Sequence, residues 1–376
     1  MKAFDVLIVL ISILLVTNSE TFVFIKRFII KFRRVFLYIF FLIIFIIFAQ
    51  FLSYFLGYNL DINFETIKNH GRLIFNFYTL LVISFLIFHN KKLLIPVSWA
   101  IIISPIIVLP VYWNFNEGFF INGGRLTGFL QTPIIFGIWM TIVFLVGLGI
   151  FHTLKNNWQK FLLILWLIII ANFILWGASR ASWISLVIAI IIFMLFYFLK
   201  NEKRKSLAIF LIFITTFLIG YFILPSKDLE MQAWVLDRAK NLATNSVFLR
   251  PESIQGQNHT TTIPNAFSFV YHNYLGSGFG EYAAINLSIL NHGSPLSNNS
   301  YLELALYGGV GALLMFLFFL FGVGKEIKKT ILSGKLSDLE IAWIIAGIAF
   351  MVDVSFTDGF LWRHTWFVLG IVIGII

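Results

Sequence analysis

The chain contains no cysteine. That excludes disulfides, thiolate metal sites and a cysteine nucleophile, and it leaves the compartment open. Charge is scarce as well. Asp, Glu, Lys and Arg make up 12% of the 376 residues, about half of what a soluble domain carries. No Asp-x-Asp pair occurs in the polar stretches, which argues against a soluble metal-dependent nucleotide-sugar transferase. No internal repeat is evident. What fills the sequence instead is hydrocarbon: 60% hydrophobic residues, 18% aromatic, 45 of them Phe.

Apolar runs long enough to cross about 30 Å of hydrocarbon recur near 3–17, 35–57, 73–89, 93–113, 126–151, 161–178, 182–199, 206–224, 301–324, 340–357 and 365–376. Each is expected to be a helix, because an open sheet edge cannot satisfy its backbone groups in lipid. The expected fold is all-α: a polytopic transmembrane helix bundle of about 11 spans (range about 10–12) with one long external loop that carries short helices. Residues 1–224 supply the N-terminal transmembrane helices, 225–300 the loop and 301–376 the C-terminal helices. The first run has no basic segment beyond Lys2 and no small-residue cleavage site, so it reads as a mature helix rather than a signal peptide.

The net charge of +10 is a topology signal rather than a nucleic-acid patch. Lys26, Arg27, Lys31, Arg33 and Arg34 fall in one connection, Lys91 and Lys92 in a second, and Lys155 and Lys160 in a third. Lys200, Lys203, Arg204 and Lys205 fall in a fourth, and Lys325, Lys328, Lys329 and Lys335 in a fifth. These are alternate connections, and the positive-inside rule assigns them to the cytoplasm. The loops near 58–72, 114–125, 179–181, 225–300 and 358–364 are then external.

Three arginines stand out on the external side: Arg125 after Asn122-Gly123-Gly124 and opening a helix, Arg180 in Gly177-Ala178-Ser179-Arg180-Ala181-Ser182, and Arg250 in the long loop. A lone arginine beside a span is as readily a snorkelling side chain. Three on one face point to an anion, because guanidinium groups grip phosphate bidentately and stay charged. The expected ligand is a phosphate-bearing lipid of the outer leaflet. The later half of the loop holds a glycine-rich turn, Tyr271 to Tyr282, and an amide- and hydroxyl-rich stretch, Asn291 to Ser300. His272, Glu281, His292, Asn298 and Asn299 there have the chemistry that sugar recognition needs, and also the chemistry of any loop. Glu303 sits one turn into a span, where a carboxylate faces either a cavity or a partner such as one of the arginines.

Four segments resemble the O-antigen polymerase and O-antigen ligase family of bacterial envelope membrane proteins. They are RLTGFLQTPIIFG from Arg125, WGASRAS from Trp176, Arg250 with Gly276-Ser277-Gly278-Phe279-Gly280, and SNNSYLELALYGGVG from Ser297. Their order and sidedness, over about residues 125–324, carry the resemblance. It implies a metal-independent glycosyltransferase, without a cofactor, acting on polyprenyl-pyrophosphate-linked oligosaccharide at the periplasmic face of the bacterial inner membrane. Membrane lipids and a chain-length regulator protein would be its partners. Position by position, Arg125, Arg180 and Arg250 would contact the pyrophosphate or orient the glycan. The family's ligase-type His aligns with Asn298, which favours repeat-unit polymerisation over ligation to lipid A core or protein. Arg180, Arg250 and Glu303 are the expected catalytic residues, with Glu281 and the loop histidines as other candidate bases. Arg125, Asn298, Asn299, His272, His292 and Glu281 are the expected substrate-binding residues. Rival readings are a lipid-linked-glycan flippase or solute transporter, which Asp353 inside a span would suit, and a non-enzymatic assembly subunit.

Overall fold

A computed structural model describes residues 19–56, 64–108, 121–122, 125–126, 133–177, 179–222, 259–279, 299–357 and 362–376. The described chain is almost entirely helical. Its helices are α1 Ser19–Phe55, α2 Phe64–His89, α3 Leu94–Ile103, α4 Pro133–Thr153, α5 Asn157–Gly177, α6 Arg180–Leu199 and α7 Lys203–Phe222. They continue with α8 His259–His272, α9 Ser300–Leu332, α10 Asp338–Asp353 and α11 Arg363–Ile375. One antiparallel pairing, β1 Ile121–Asn122 with β2 Arg125–Leu126, precedes α4. Among the described residues, nine helical stretches are long and apolar enough to cross a membrane, and α11 is a shorter apolar helix. The chain is a membrane-embedded helical protein. The expected first span, 3–17, lies outside the described residues.

One starting point differs from the sequence reading. Lys26 to Arg34 do not form a loop; they ride on the first half of α1, which is kinked at Phe32. Arg125 pairs with Asn122; residues 127–132, where a helix was expected to open, lie outside the described residues, and α4 begins at Pro133. Pro is suited to a first turn because its missing N–H would be unpaired there anyway.

The described elements form two compact units. In the first, α1 packs along α9 and α2 along α11. The short α11 approaches α2 closely through Gly370 and Gly374, where an added Cβ would meet Leu80 O at 3.1 Å and Ser84 O at 2.7 Å. Small residues at four-residue spacing are how helices gain dispersion energy in a solvent as apolar as their own side chains. At one end of this unit Lys31 donates to Ile376 O at 2.8 Å and lies within electrostatic reach of Glu326, Lys91 and Lys329. Three of the basic clusters therefore share one end, as alternation requires.

In the second unit, α4 and α10 are the most enclosed helices. Gly149 of α4 lets Ala342 of α10 come so near that an added Cβ would stand 2.4 Å from it. Trp343 of α10 donates to the buried Ser98 hydroxyl of α3 at 2.9 Å. At the lysine-rich end Asp338 accepts from Tyr197 at 2.7 Å and from Lys205 through both oxygens at 3.1 and 3.0 Å. Lys205 also pairs with Glu202.

Candidate functional site

The end of the first unit opposite Lys31, Lys91 and Lys329 is where polar side chains go inside. Asn299 caps α9: its Oδ1 accepts from the N–H groups of Tyr301 and Leu302 at 2.9 and 3.0 Å. Its amide nitrogen donates to Ser355 O at 2.7 Å, and the Ser300 hydroxyl donates to Thr357 O at 2.7 Å. The outer start of α9 is thus tied at two points to the segment that follows α10. One turn further in, Glu303 is only 9% exposed. Tyr307, four residues on and so on the same helix face, donates its hydroxyl to Glu303 Oε1 at 3.4 Å. Both carry further contacts.

A glycine-rich turn, residues 273–279, presses against this helix. The N–H groups of Ser277 and Gly278 donate to Leu306 O and Tyr307 O, and Val310 N–H donates to Tyr274 O. Here α9 is broken. Gly309 has φ +71°, and an added Cβ would collide with Leu275 C and Tyr274 O at 2.5 Å. Gly276, at φ +85°, faces Gly309 N at 2.4 Å in the same sense. These two positions need glycine for both space and handedness.

The turn delivers Phe279 to the polar cluster. Its N–H donates to Gln50 Oε1 at 2.7 Å and its carbonyl accepts from the Thr66 hydroxyl at 3.1 Å. Its ring meets Tyr307 at 4.6 Å and the edge of His70 at 4.8 Å between centroids. His70 Nδ1 lies 2.9 Å from Thr66 O. A carbonyl only accepts, so in that bond Nδ1 is the donor. Gln50 is 8% exposed, and its Nε2 has no hydrogen-bond partner among the described residues. The cluster therefore combines a shielded carboxylate, an amide donor, an imidazole and two rings.

In the second unit, Arg180 is the first residue of α6, partly exposed, at the end away from Asp338 and Lys205. Ser179 caps the helix, its hydroxyl accepting from Ser182 N–H. Ser182 in turn donates to Asp353 Oδ1 at 3.1 Å, and Asp353 is fully buried at the last position of α10. Gly137 of α4 abuts this link, 2.7 Å from Ser182 Oγ to an added Cβ. Arg180 therefore adds a guanidinium to a helix N-terminus, two positive features in one place. Strand β2 packs on α4 and α5, which puts the backbone of Arg125 at the same end of this unit as Arg180.

Of the residues singled out from the sequence, Glu303 and Asn299 share the first unit's cluster. His272 ends α8 exposed, its Nδ1 against Ser268 O. Arg250, Glu281, His292 and Asn298 lie outside the described residues, as does the side chain of Arg125. The sequence reading missed Gln50, Thr66 and His70, and it counted too few arginines. Arg72 in the first turns of α2 and Arg363 opening α11, its guanidinium 5.5 Å above the Phe75 ring, stand at the same end of the first unit as Glu303. Loop alternation alone already put both on the side of Arg125. Neither a protein-family model nor a curated protein sequence matches this chain.

Proposed function

We propose that the chain is an integral-membrane glycosyltransferase that polymerises polyprenyl-pyrophosphate-linked repeat units at the periplasmic face of a bacterial inner membrane. The observation that carries this reading is Arg180. Its guanidinium stands at the N-terminal turn of α6, so side chain and helix end bring positive potential to one place, which favours an anion. A pyrophosphate leaving group is such an anion. Its departure needs charge stabilisation, which fixed guanidinium groups supply. Arg125 and Arg250 join Arg180 in that role on the strength of their sequence segments. Glu303 supports the other half of the reaction. Its carboxylate is kept from bulk water beside Tyr307, which suits a group that accepts the proton of an attacking sugar hydroxyl. Ligation to lipid A core or protein is the close alternative within this class.

A second class, a lipid-linked-glycan flippase or solute transporter, is favoured by the buried Asp353 and by the broken α9, since transporters build sites on interrupted helices. Deletion of the gene followed by profiling of surface glycans separates them. Polymerisation predicts single repeat units still delivered to the surface and no long chains. Long chains left on the carrier lipid indicate ligation, and repeat units trapped on the cytoplasmic leaflet indicate transport. Within the transferase reading, Arg180→Ala and Arg250→Ala abolish chain growth at normal membrane levels, a loss of about 2–5 kcal/mol. Lys at either position restores little, lacking the planar fork. Normal chain length in either alanine variant removes the pyrophosphate role.

A further inference from the structure

The 225–300 region is expected from sequence to lie outside the membrane, yet part of it runs alongside a membrane-spanning helix. The register is explicit. Tyr274 bonds Val310, Ser277 bonds Leu306, and Gly278 bonds Tyr307. Phe279 then reaches Gln50 and Thr66, near the C-terminal end of α1 and the N-terminal end of α2. The chain therefore lies deepest at Tyr274, beside Val310, and by Ser277 and Gly278 it has returned to the level of Leu306 and Tyr307.

The depth follows from α9. Counted back about 20 residues from Gly324, the last before the lysines, about 30 Å of hydrocarbon reaches Leu304. Val310, six residues below, lies roughly 9 Å inside at a rise of 1.5 Å per residue. Irregular backbone is tolerated at that depth only when protein satisfies it, and this turn and the broken α9 satisfy each other.

Helix α8 leads the chain in. One face is packed: Ala266, Phe269 and Val270 cluster with Ala305 and Leu306 of α9. The other face is apolar and open, with Phe267 64%, Tyr271 75%, Tyr274 62% and Leu275 46% exposed. It adjoins the apolar outer face of α9, where Val310, Leu314 and Leu317 are also exposed. We infer that residues 259–279 are a re-entrant membrane segment that enters from the loop side, closes the break in α9 and turns back. Its Phe267–Tyr271–Tyr274–Leu275 face is solvated by the lipid of that leaflet. Its occupant is bilayer hydrocarbon, because the face continues a lipid-facing surface and its depth places it below the headgroups.

The absence of cysteine makes the test direct. Tyr271→Cys and Tyr274→Cys alter side chains that point outward and leave the Tyr274 carbonyl bond intact. Each is spin-labelled in liposomes and compared with Phe48→Cys on the open face of α1 and Lys335→Cys beyond α9. The expected result is high collision with oxygen and low collision with a nickel chelate, as at Phe48→Cys. Nickel-chelate access equal to Lys335→Cys overturns the proposal. Spin–spin broadening, meaning that a second copy covers the face, overturns the lipid contact. Hydrogen exchange of the unmodified protein in lipid nanodiscs provides a reading that needs no variant. Amides of 269–279 should be protected to the level of α1, and rapid exchange there overturns the proposal.

Discussion

Asp338 and Asp353 begin and end the same helix, and they are treated in opposite ways. Asp338 sits at the positive end of the α10 dipole, next to a capping box in which Ser337 and Glu340 bond each other's backbone N–H. It is matched by Lys205 and Tyr197. Asp353 sits at the negative end, wholly buried, taking a hydrogen bond from the neutral Ser182. The first carboxylate is placed where electrostatics favour it; the second is placed where they do not. The same division holds in the first unit, where the lysine end is paired and Glu303 at the far end is shielded. Anchoring is done at one end of the helices, and acidic groups are shielded from water at the other. Groups held against their preference are the ones expected to act.

The sharpest way to break this contrast is to reshape the far end. Gly309→Ala forces a Cβ into the Leu275 and Tyr274 backbone at a positive φ. It should cost about 3 kcal/mol or more and remove folded protein from the membrane, read by detergent thermal-shift and membrane abundance. Asp353→Asn should do the reverse of a structural mutation. Activity should fall at least about tenfold while the melting temperature holds, because an amide matches the carboxyl group in shape and still accepts from Ser182. Parallel loss of stability and activity would assign Asp353 to structure. Asp338→Asn is its counterpart: a loss of about 1–2 kcal/mol from a partly exposed pair and one hydroxyl bond, with activity following only folded protein. The smallest effect belongs to Gly334→Ala. Gly334 also has positive φ (+68°), but open space surrounds its missing Cβ. About 1 kcal/mol is expected from backbone strain alone.

The membrane architecture was legible because hydrocarbon thickness imposes a length on apolar runs, and nine of those runs recur as helices long enough to cross. Glu303 was legible for a related reason, since a carboxylate one turn into a membrane-crossing helix needs company. The company was not. Its hydroxyl donor Tyr307 lies on its own helix, while Gln50, Thr66 and His70 come from helices more than 200 residues earlier in sequence. Arg125 was less legible. Its segment read as a helix start, and Arg125 itself pairs with Asn122 in a short strand pair. Basic residues on α1 looked like a loop because charge was read as a boundary, whereas a helix longer than the bilayer carries its lysines beyond it. The break at Gly309 was invisible: small residues in a span read equally well as helix packing.

The pairing of α1 with α9 and of α2 with α11 sets an order of events during synthesis. The faces of α1 and α2 that become buried, including Ile39, Leu42, Ile46 and Leu80 at 0% exposure, emerge early and wait for partners encoded in the last quarter of the chain. Lipid is a tolerable substitute for those apolar contacts. It is a poor one for the amides of Gln50 and Asn76, buried in the finished unit. The second unit faces a shorter delay, since α3 to α7 follow one another and only α10 arrives late. The first unit should therefore be the slow one to assemble, and a chain stalled before α9 should hold its opening helices in the membrane with their polar groups still unmatched.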